Sequence, residues 1–280
     1  MKKQKNRWIM LFCICCNTFC FGGVYAWSAF SGELANYMGW DYSKVTVAYS
    51  IMLMCVALMG LVGGMLLQRF GARKLMIAAG IMWGLGWFAT GMAGSIIMLY
   101  ASFGILAGCA SGFGYNPGVV TAVSWFPDKK GFASGMAVGT CGMASLIVAP
   151  LANFLLTRFN VMTAFRLVGG MFLVVSLATS WYIDGPPAGW KPEGYTPAAA
   201  QAASEGKTWR EMLKDPRCYL LWATLLCASV AGLMLIGHAS RIGQEVAGSG
   251  AGSTFSGYHG SCQLCGQTGS WFPFRCSWAP

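Results

Sequence analysis

The residues best suited to bond chemistry lie near the end of the chain. Three cysteines and a histidine there have side chains that bind zinc, and two of the cysteines have CxxC spacing: His259, Cys262, Cys265 and Cys276. A zinc knuckle would need a second CxxC or HxxxH pair near these residues, which the tail lacks. No other residue set supports covalent or acid–base catalysis. We therefore predict no metal site, no cofactor and no enzyme activity.

The composition indicates a membrane protein. Of the 280 residues, 56% are hydrophobic and only 10% are charged, whereas a soluble domain has about a quarter charged residues. The net charge of +10 does not indicate nucleic-acid binding, because the lysines and arginines lie in short loops between apolar runs. Eight of the twelve cysteines lie inside those runs and are interpreted as small packing residues. We predict that the lipid bilayer, and no nucleic acid, surrounds this chain.

Apolar runs long enough to cross a bilayer, about 20 residues, recur along most of the chain. They predict an all-α polytopic membrane protein. Six spans are predicted at 8–30, 45–67, 75–93, 96–126, 131–157 and 163–183, and a seventh at 218–237. Basic residues cluster before the first span and after the second and fourth, which by the positive-inside rule predicts a cytoplasmic N-terminus. The expected location is the cell membrane.

The predicted spans divide the chain into four parts. Residues 1–183 form a six-helix bundle, and 184–217 form a linker rich in proline, alanine and charge. Residues 218–247 form the part that contains the seventh span. The tail 248–280 has no apolar run of 20 residues.

The tail can also be interpreted as out-of-frame translation. A shift of one nucleotide converts the tryptophan codon into a glycine codon, so Trp271 and Trp278 would become glycines seven residues apart. That is the spacing of Gly64 and Gly71 after the second span. We therefore favour a frame break over a native tail.

A polar interruption between the fourth and fifth spans carries a distinctive motif. Its residues are Trp125, Phe126, Pro127, Asp128, Lys129 and Gly131. The tryptophan can anchor at a membrane interface, the proline ends a helix and the charges form a solvated turn. The run SWFPDKKGFASG resembles a signature of the oxalate/formate antiporter family of the major facilitator superfamily. The resemblance implies two six-helix halves, of which residues 1–183 would be the first.

The run GMLLQRFGARK resembles the superfamily's loop between helices two and three. Gly64 is expected to permit close helix approach and Gly71 a tight turn. Arg69 and Arg73 are expected to pair with carboxylates or helix C-termini. Gln68 stands where the family usually has Asp, so the loop loses a charge there. The alternative is a plain positive-inside loop.

The resemblance also implies that helices one, four and seven line a central cavity. Six residues on them are therefore candidates for the substrate pathway: Tyr25, Trp27, Tyr115, Asn116, His238 and Arg241. Tyr49 in the second span is a weaker candidate. The alternative for the first four is interfacial aromatic anchoring and a proline kink. The alternative for His238 and Arg241 is an interfacial cap.

The first six predicted spans contain no Asp or Glu, which suits a path for anions. With the resemblance, this predicts a secondary transporter that exchanges small carboxylates by alternating access. Two other hypotheses remain open. The chain could be a nonfunctional truncated product of a transporter gene, or a monocarboxylate carrier of the same superfamily.

Overall fold

Six long helices make up most of the chain. A computed structural model describes residues 6–187 and, with gaps at 217, 221, 225 and 228, residues 215–230. The helices are α1 (Arg7–Met38), α2 (Tyr42–Phe70), α3 (Ala72–Thr90), α4 (Ile96–Trp125), α5 (Lys130–Arg158) and α6 (Val161–Ser180). Each one contains most of a predicted span, so the six spans are confirmed as helices. Residues 216–230 are helical at every described position, within the predicted seventh span.

Five of these helices are long and apolar enough to cross a membrane. The exception is α3, whose first turn carries Arg73 and Lys74 and whose remainder is interrupted by glycines and tryptophans. These residues lower its mean hydropathy without breaking the helix. The predicted linker, apart from residues 184–187 and its last few positions, and the predicted tail lie outside the described residues.

The first helix is longer than predicted. It runs as an α-helix to Phe21, tightens into a 3-10 segment at Gly22–Ala26 and continues to Met38. Gly39, with φ of 65°, ends it in the left-handed conformation that glycine adopts without strain. Glu33 therefore lies in α1, although it is outside the predicted span 8–30. That residue is exposed on the last turns of α1.

The fourth helix contains two irregularities. Residues Tyr100–Ala107 form a π-helical segment, and Pro117 lies inside the helix, where it removes a backbone donor. The Thr121 hydroxyl donates to the Pro117 carbonyl oxygen at 2.7 Å. Both features place irregular backbone where α4 packs against α2 and α3.

An aromatic core fills the centre of the bundle. It joins α1, α3, α4 and α6, and its fully or almost fully buried members are Trp27, Phe30, Trp83, Trp87, Phe103, Phe165 and Phe172. Trp27 stacks on Phe103 with ring centroids 3.9 Å apart. Burial alone does not hold helices together in lipid, which is as apolar as the core, so this close packing matters.

Polar contacts between helices add to the aromatic packing. Asn17 of α1 is fully buried, and its amide nitrogen lies 3.1 Å from the Ser176 carbonyl oxygen and 2.7 Å from the Ser180 hydroxyl of α6. At the next residue of α1, the Thr18 hydroxyl lies 3.0 Å from the Thr140 hydroxyl of α5. These bonds connect α1 to both α5 and α6.

Candidate functional site

The predicted motif between α4 and α5 lies at one end of the bundle. This end, where α1, α3 and α5 begin and α2, α4 and α6 finish, is called the basic end. The Trp125 indole donates to the Asp184 carbonyl oxygen at 2.7 Å, and the Arg73 guanidinium lies 3.0 Å from the Asp184 carboxylate. Arg73 also donates to the Ile183 carbonyl oxygen at 3.3 Å. The motif and the α2–α3 loop therefore meet at the end of α6.

The second half of the motif contacts the start of α1. Arg7 lies 3.2 Å from the Asp128 carboxylate, and its guanidinium carbon is 5.2 Å from the centre of the Phe126 ring. Trp8 packs its ring edge against Phe126 at 5.2 Å. Pro127 lies in the turn that follows α4. The sequence contained no signal for the Arg7–Asp128 pair, because the two residues are 121 positions apart.

The remaining motif residues make few contacts among the described residues. Lys129 precedes α5, and Gly131 is an exposed residue of its first turn with open space beside it. Arg69 lies over the Phe70 ring, 5.6 Å from its centre.

The two glycines of the α2–α3 loop differ in their roles. Gly71 has a φ of 78° and is the sole residue between α2 and α3, so it forms the tight turn. The expectation that Gly64 permits close helix approach is not met among the described residues, because nothing lies within 4 Å of its Cβ position. The neighbouring Gly63 makes that contact instead: its Cβ position is 3.0 Å from the Gly112 carbonyl oxygen. The two positions face different sides of α2.

A cavity of about 680 Å³ opens beside α4, between α2 and α5. Its polar lining groups are Gln68 of α2 and Tyr115 and Asn116 of α4, and none of the described residues that line it is charged. Gln68 lies near the basic end. Asn116 lies nine residues before the end of α4, about 14 Å along the helix axis, which is about half the thickness of a bilayer core.

Asn116 presents an unpaired amide to this cavity. It is exposed, and its side chain makes no hydrogen bond to any residue that the structure describes. An amide of this kind can donate two hydrogen bonds and accept others. The cavity therefore contains hydrogen-bonding capacity without net charge.

Tyr25 of α1 lies within electrostatic range of two other tyrosines, Tyr49 of α2 and Tyr115 of α4, and of the Cys141 thiol of α5. The Tyr49 hydroxyl is buried and has no partner in the described part of the chain. Tyr115 belongs to both the cavity lining and this group, which we call the tyrosine cluster. The structure thus brings together Tyr25, Tyr115 and the weaker candidate Tyr49.

Trp27 does not join the tyrosine cluster. It is 2% exposed and packs against Phe103 and Phe165 in the aromatic core. It does not line the cavity. His238 and Arg241 lie outside the described residues. Within the part of the chain that the structure describes, no group of three or more His, Cys, Asp or Glu side chains could hold a metal ion.

Comparison with known proteins shows to which family this helical architecture belongs. The family model described as Major Facilitator Superfamily matches residues 7–272. The chain belongs to the major facilitator superfamily. This superfamily is a class of transporters, which are not enzymes.

Several relatives within the superfamily resemble the chain in sequence. An uncharacterized MFS-type transporter of Escherichia coli strain K12, YhjX, is 31% identical over 244 residues, which are 87% of this chain and 60% of the relative. The oxalate:formate antiporter of Oxalobacter formigenes is 28% identical over 244 residues, 86% of this chain and 56% of the antiporter. Mouse monocarboxylate transporter 3 is 29% identical over 167 residues, 59% of this chain and 34% of that transporter. The chain thus spans at most about three fifths of these relatives.

Solved structures agree with the fold. A bacterial homolog of the human lysosomal transporter Spinster matches with a TM-score of 0.67 at 19% identity, over 94% of this chain and 60% of that one. A peptide transporter, POT, matches with a TM-score of 0.51 at 17% identity, over 85% of this chain and 49% of that one. The predicted superfamily and its helical fold are confirmed.

Proposed function

We propose that this major facilitator chain binds small carboxylate anions and takes part in their exchange across a membrane. The observation that carries the proposal is the cavity beside α4, lined by neutral polar groups and by no charged residue among those described. Similarity to an oxalate:formate antiporter supports the same substrate class.

The cavity suits an anion for electrostatic reasons. A carboxylate that leaves water must regain hydrogen bonds, and an acidic side chain nearby would repel it. The Asn116 amide and the Tyr115 hydroxyl are neutral donors that can supply such bonds, and the unpartnered Tyr49 hydroxyl lies behind them in the tyrosine cluster. His238 and Arg241 are the cations that we propose to balance the charge.

We propose that the basic end faces the cytoplasm. Arg7, Arg73 and Lys130 all lie at this end, and basic residues are enriched on the cytoplasmic side of membrane proteins. The cavity would then lead from the cytoplasm, at Gln68, to about half the depth of the bilayer, at Asn116. The membrane that contains the chain would be the cell membrane.

A second candidate substrate class is the monocarboxylates. Rat monocarboxylate transporter 4 is 26% identical over 231 residues, 81% of this chain and 48% of that transporter. A single carboxylate needs fewer donors than oxalate, and the uncharged lining fits either anion. Oxalate distinguishes the two candidates, because it has two carboxylates, whereas formate is a monocarboxylate that fits both.

The experiment measures binding and exchange by the 280-residue chain. Calorimetry on the purified chain would follow titration with oxalate, formate and the neutral isosteres oxamide and formamide. Proteoliposomes loaded with oxalate or formate would then be tested for uptake of the labelled anion. We expect binding of at least one anion and none of the isosteres, and exchange would contradict the hypothesis of a nonfunctional product.

The role of the cavity is tested with a matched pair of variants. Asn116→Ala removes the unpaired amide, and Asn160→Ala removes an exposed asparagine before α6 that makes no side-chain hydrogen bond among the described residues. A hydrogen bond to a charged group contributes about 1.5–3 kcal/mol, so we expect Asn116→Ala to weaken anion binding roughly tenfold or more. We expect Asn160→Ala to have no effect. Binding of neither anion by the unmodified chain would refute the proposal.

A further inference from the structure

The orientation of the Asn116 amide is set by its neighbour on α2. A Cβ atom added to Gly60 would lie 2.6 Å from the Asn116 amide nitrogen and 3.8 Å from the amide carbon. No other atom lies within 4 Å of that position. The absence of a side chain at residue 60 is therefore what makes room for this amide against α2.

Other glycines near the cavity do different work. The Cβ position of Gly112 lies 2.8 Å from the Met59 Cβ and 2.9 Å from the Gly60 backbone nitrogen, so it allows α2 and α4 to approach closely. Gly64, one turn from Gly60 on α2, has open space beside it. Of these three, Gly60 is the one that faces a polar group of the cavity lining.

We propose that Gly60 is a positioning residue for carboxylate recognition. It allows the Asn116 amide to lie against α2 with its donors directed into the cavity, where they can reach an anion. A methyl group at residue 60 would force the amide to rotate about its side-chain bonds, because the α2 backbone cannot retreat as easily as a side chain can turn. This inference rests on the proposed function and adds a residue that acts through the Asn116 amide.

A double-mutant cycle tests this coupling. The variants are Gly60→Ala, Asn116→Ala, the double variant and, as the control, Gly170→Ala, a glycine inside α6 that does not line the cavity and has open space at its Cβ position. Affinity for oxalate and formate is measured by calorimetry on the purified 280-residue chain. We expect Gly60→Ala to weaken binding of the preferred anion roughly tenfold, as the loss of one hydrogen bond to a charged group does. We expect Gly170→Ala to bind as the unmodified chain does.

The double variant separates positioning from a general effect on folding. If Gly60 acts through the amide, the double variant binds no more weakly than Asn116→Ala alone. The proposal is overturned if Gly60→Ala binds like Gly170→Ala, or if the two losses multiply. Thermal unfolding provides a second readout, in which we expect Gly60→Ala to lower the melting temperature less when residue 116 is alanine. If the unmodified chain binds neither anion, the proposed function fails together with this inference, whereas binding that is insensitive to residue 60 refutes this inference alone.

Discussion

Replacing Asn17 with alanine should destabilise the bundle measurably. The Asn17 amide nitrogen is within 3.1 Å of the Ser176 carbonyl oxygen and the Thr179 hydroxyl, and 2.7 Å from the Ser180 hydroxyl. The Ser176 hydroxyl in turn donates to the Asn17 amide oxygen at 3.4 Å. An amide nitrogen has two hydrogens, so at most two donated bonds and one accepted bond exist at once.

The magnitude follows from this count. Hydrogen bonds between helices in a membrane contribute about 0.6 kcal/mol on average and about 1.7 kcal/mol at most. Three such bonds give roughly 2 kcal/mol. The loss of stability is smaller than this sum, because the Thr179 hydroxyl also donates to the Val175 carbonyl oxygen at 2.8 Å and keeps that bond in the variant. We therefore expect Asn17→Ala to cost between about 1 and 2 kcal/mol.

The assay is reversible unfolding of the purified chain by titration with sodium dodecyl sulfate. The helical signal in circular dichroism monitors the fraction unfolded. Asn160→Ala serves as the control, because that side chain is exposed and makes no hydrogen bond among the described residues. Ser180→Ala completes a double-mutant cycle, in which we expect a coupling energy of about 0.6 kcal/mol or more. A loss no larger than that of Asn160→Ala, or a coupling near zero, would refute the reasoning.

Two further predictions concern packing at other positions. Gly112→Ala should lower the free energy of unfolding by about 1–3 kcal/mol, because its methyl group would meet the α2 backbone. Gly64→Ala should leave the free energy of unfolding unchanged or raise it. Equal effects of the two variants in the same titration would contradict the packing argument. Trp125→Phe keeps an aromatic ring but removes the indole N–H that donates to the Asp184 carbonyl oxygen. Loss of this bond should lower the free energy of unfolding by about 0.5–1.5 kcal/mol. A Trp125→Phe variant as stable as the unmodified chain would show that this bond contributes nothing.

The sequence predicted the helices well because their length is a local property. In a bilayer the backbone must satisfy its own hydrogen bonds, so an apolar run of about 20 residues forms a helix whatever its neighbours do. The same rule missed the last turns of α1, since the segment from Ser31 to Met38 is more polar and hydropathy does not mark where a helix ends outside the apolar layer. Glu33 lies in this segment, so α1 contains an acidic residue outside its predicted span.

The candidate site was only partly predictable. Tyr25, Tyr115 and Asn116 were named from a resemblance and lie at or beside one cavity, but Trp27, named by the same reasoning, lies in the aromatic core. In a soluble protein, the contrast between the apolar and polar faces of a helix shows which face is buried. Nearly every face of these helices is apolar, so that contrast is missing. Which residue faces a cavity therefore depends on how each helix is rotated in the bundle.

The sequence by itself determined the class of protein, the positions of the six helices and the turn at Gly71, where glycine adopts a positive φ without strain. The tertiary structure alone decided which distant residues meet. Arg7 pairs with Asp128 across 121 positions and Arg73 with Asp184 across 111. It also decided that Gly60 faces Asn116 while Gly64 faces open space. The physical reason is that helix formation follows from local hydrophobic length, whereas contacts between helices follow from close packing that no single segment encodes.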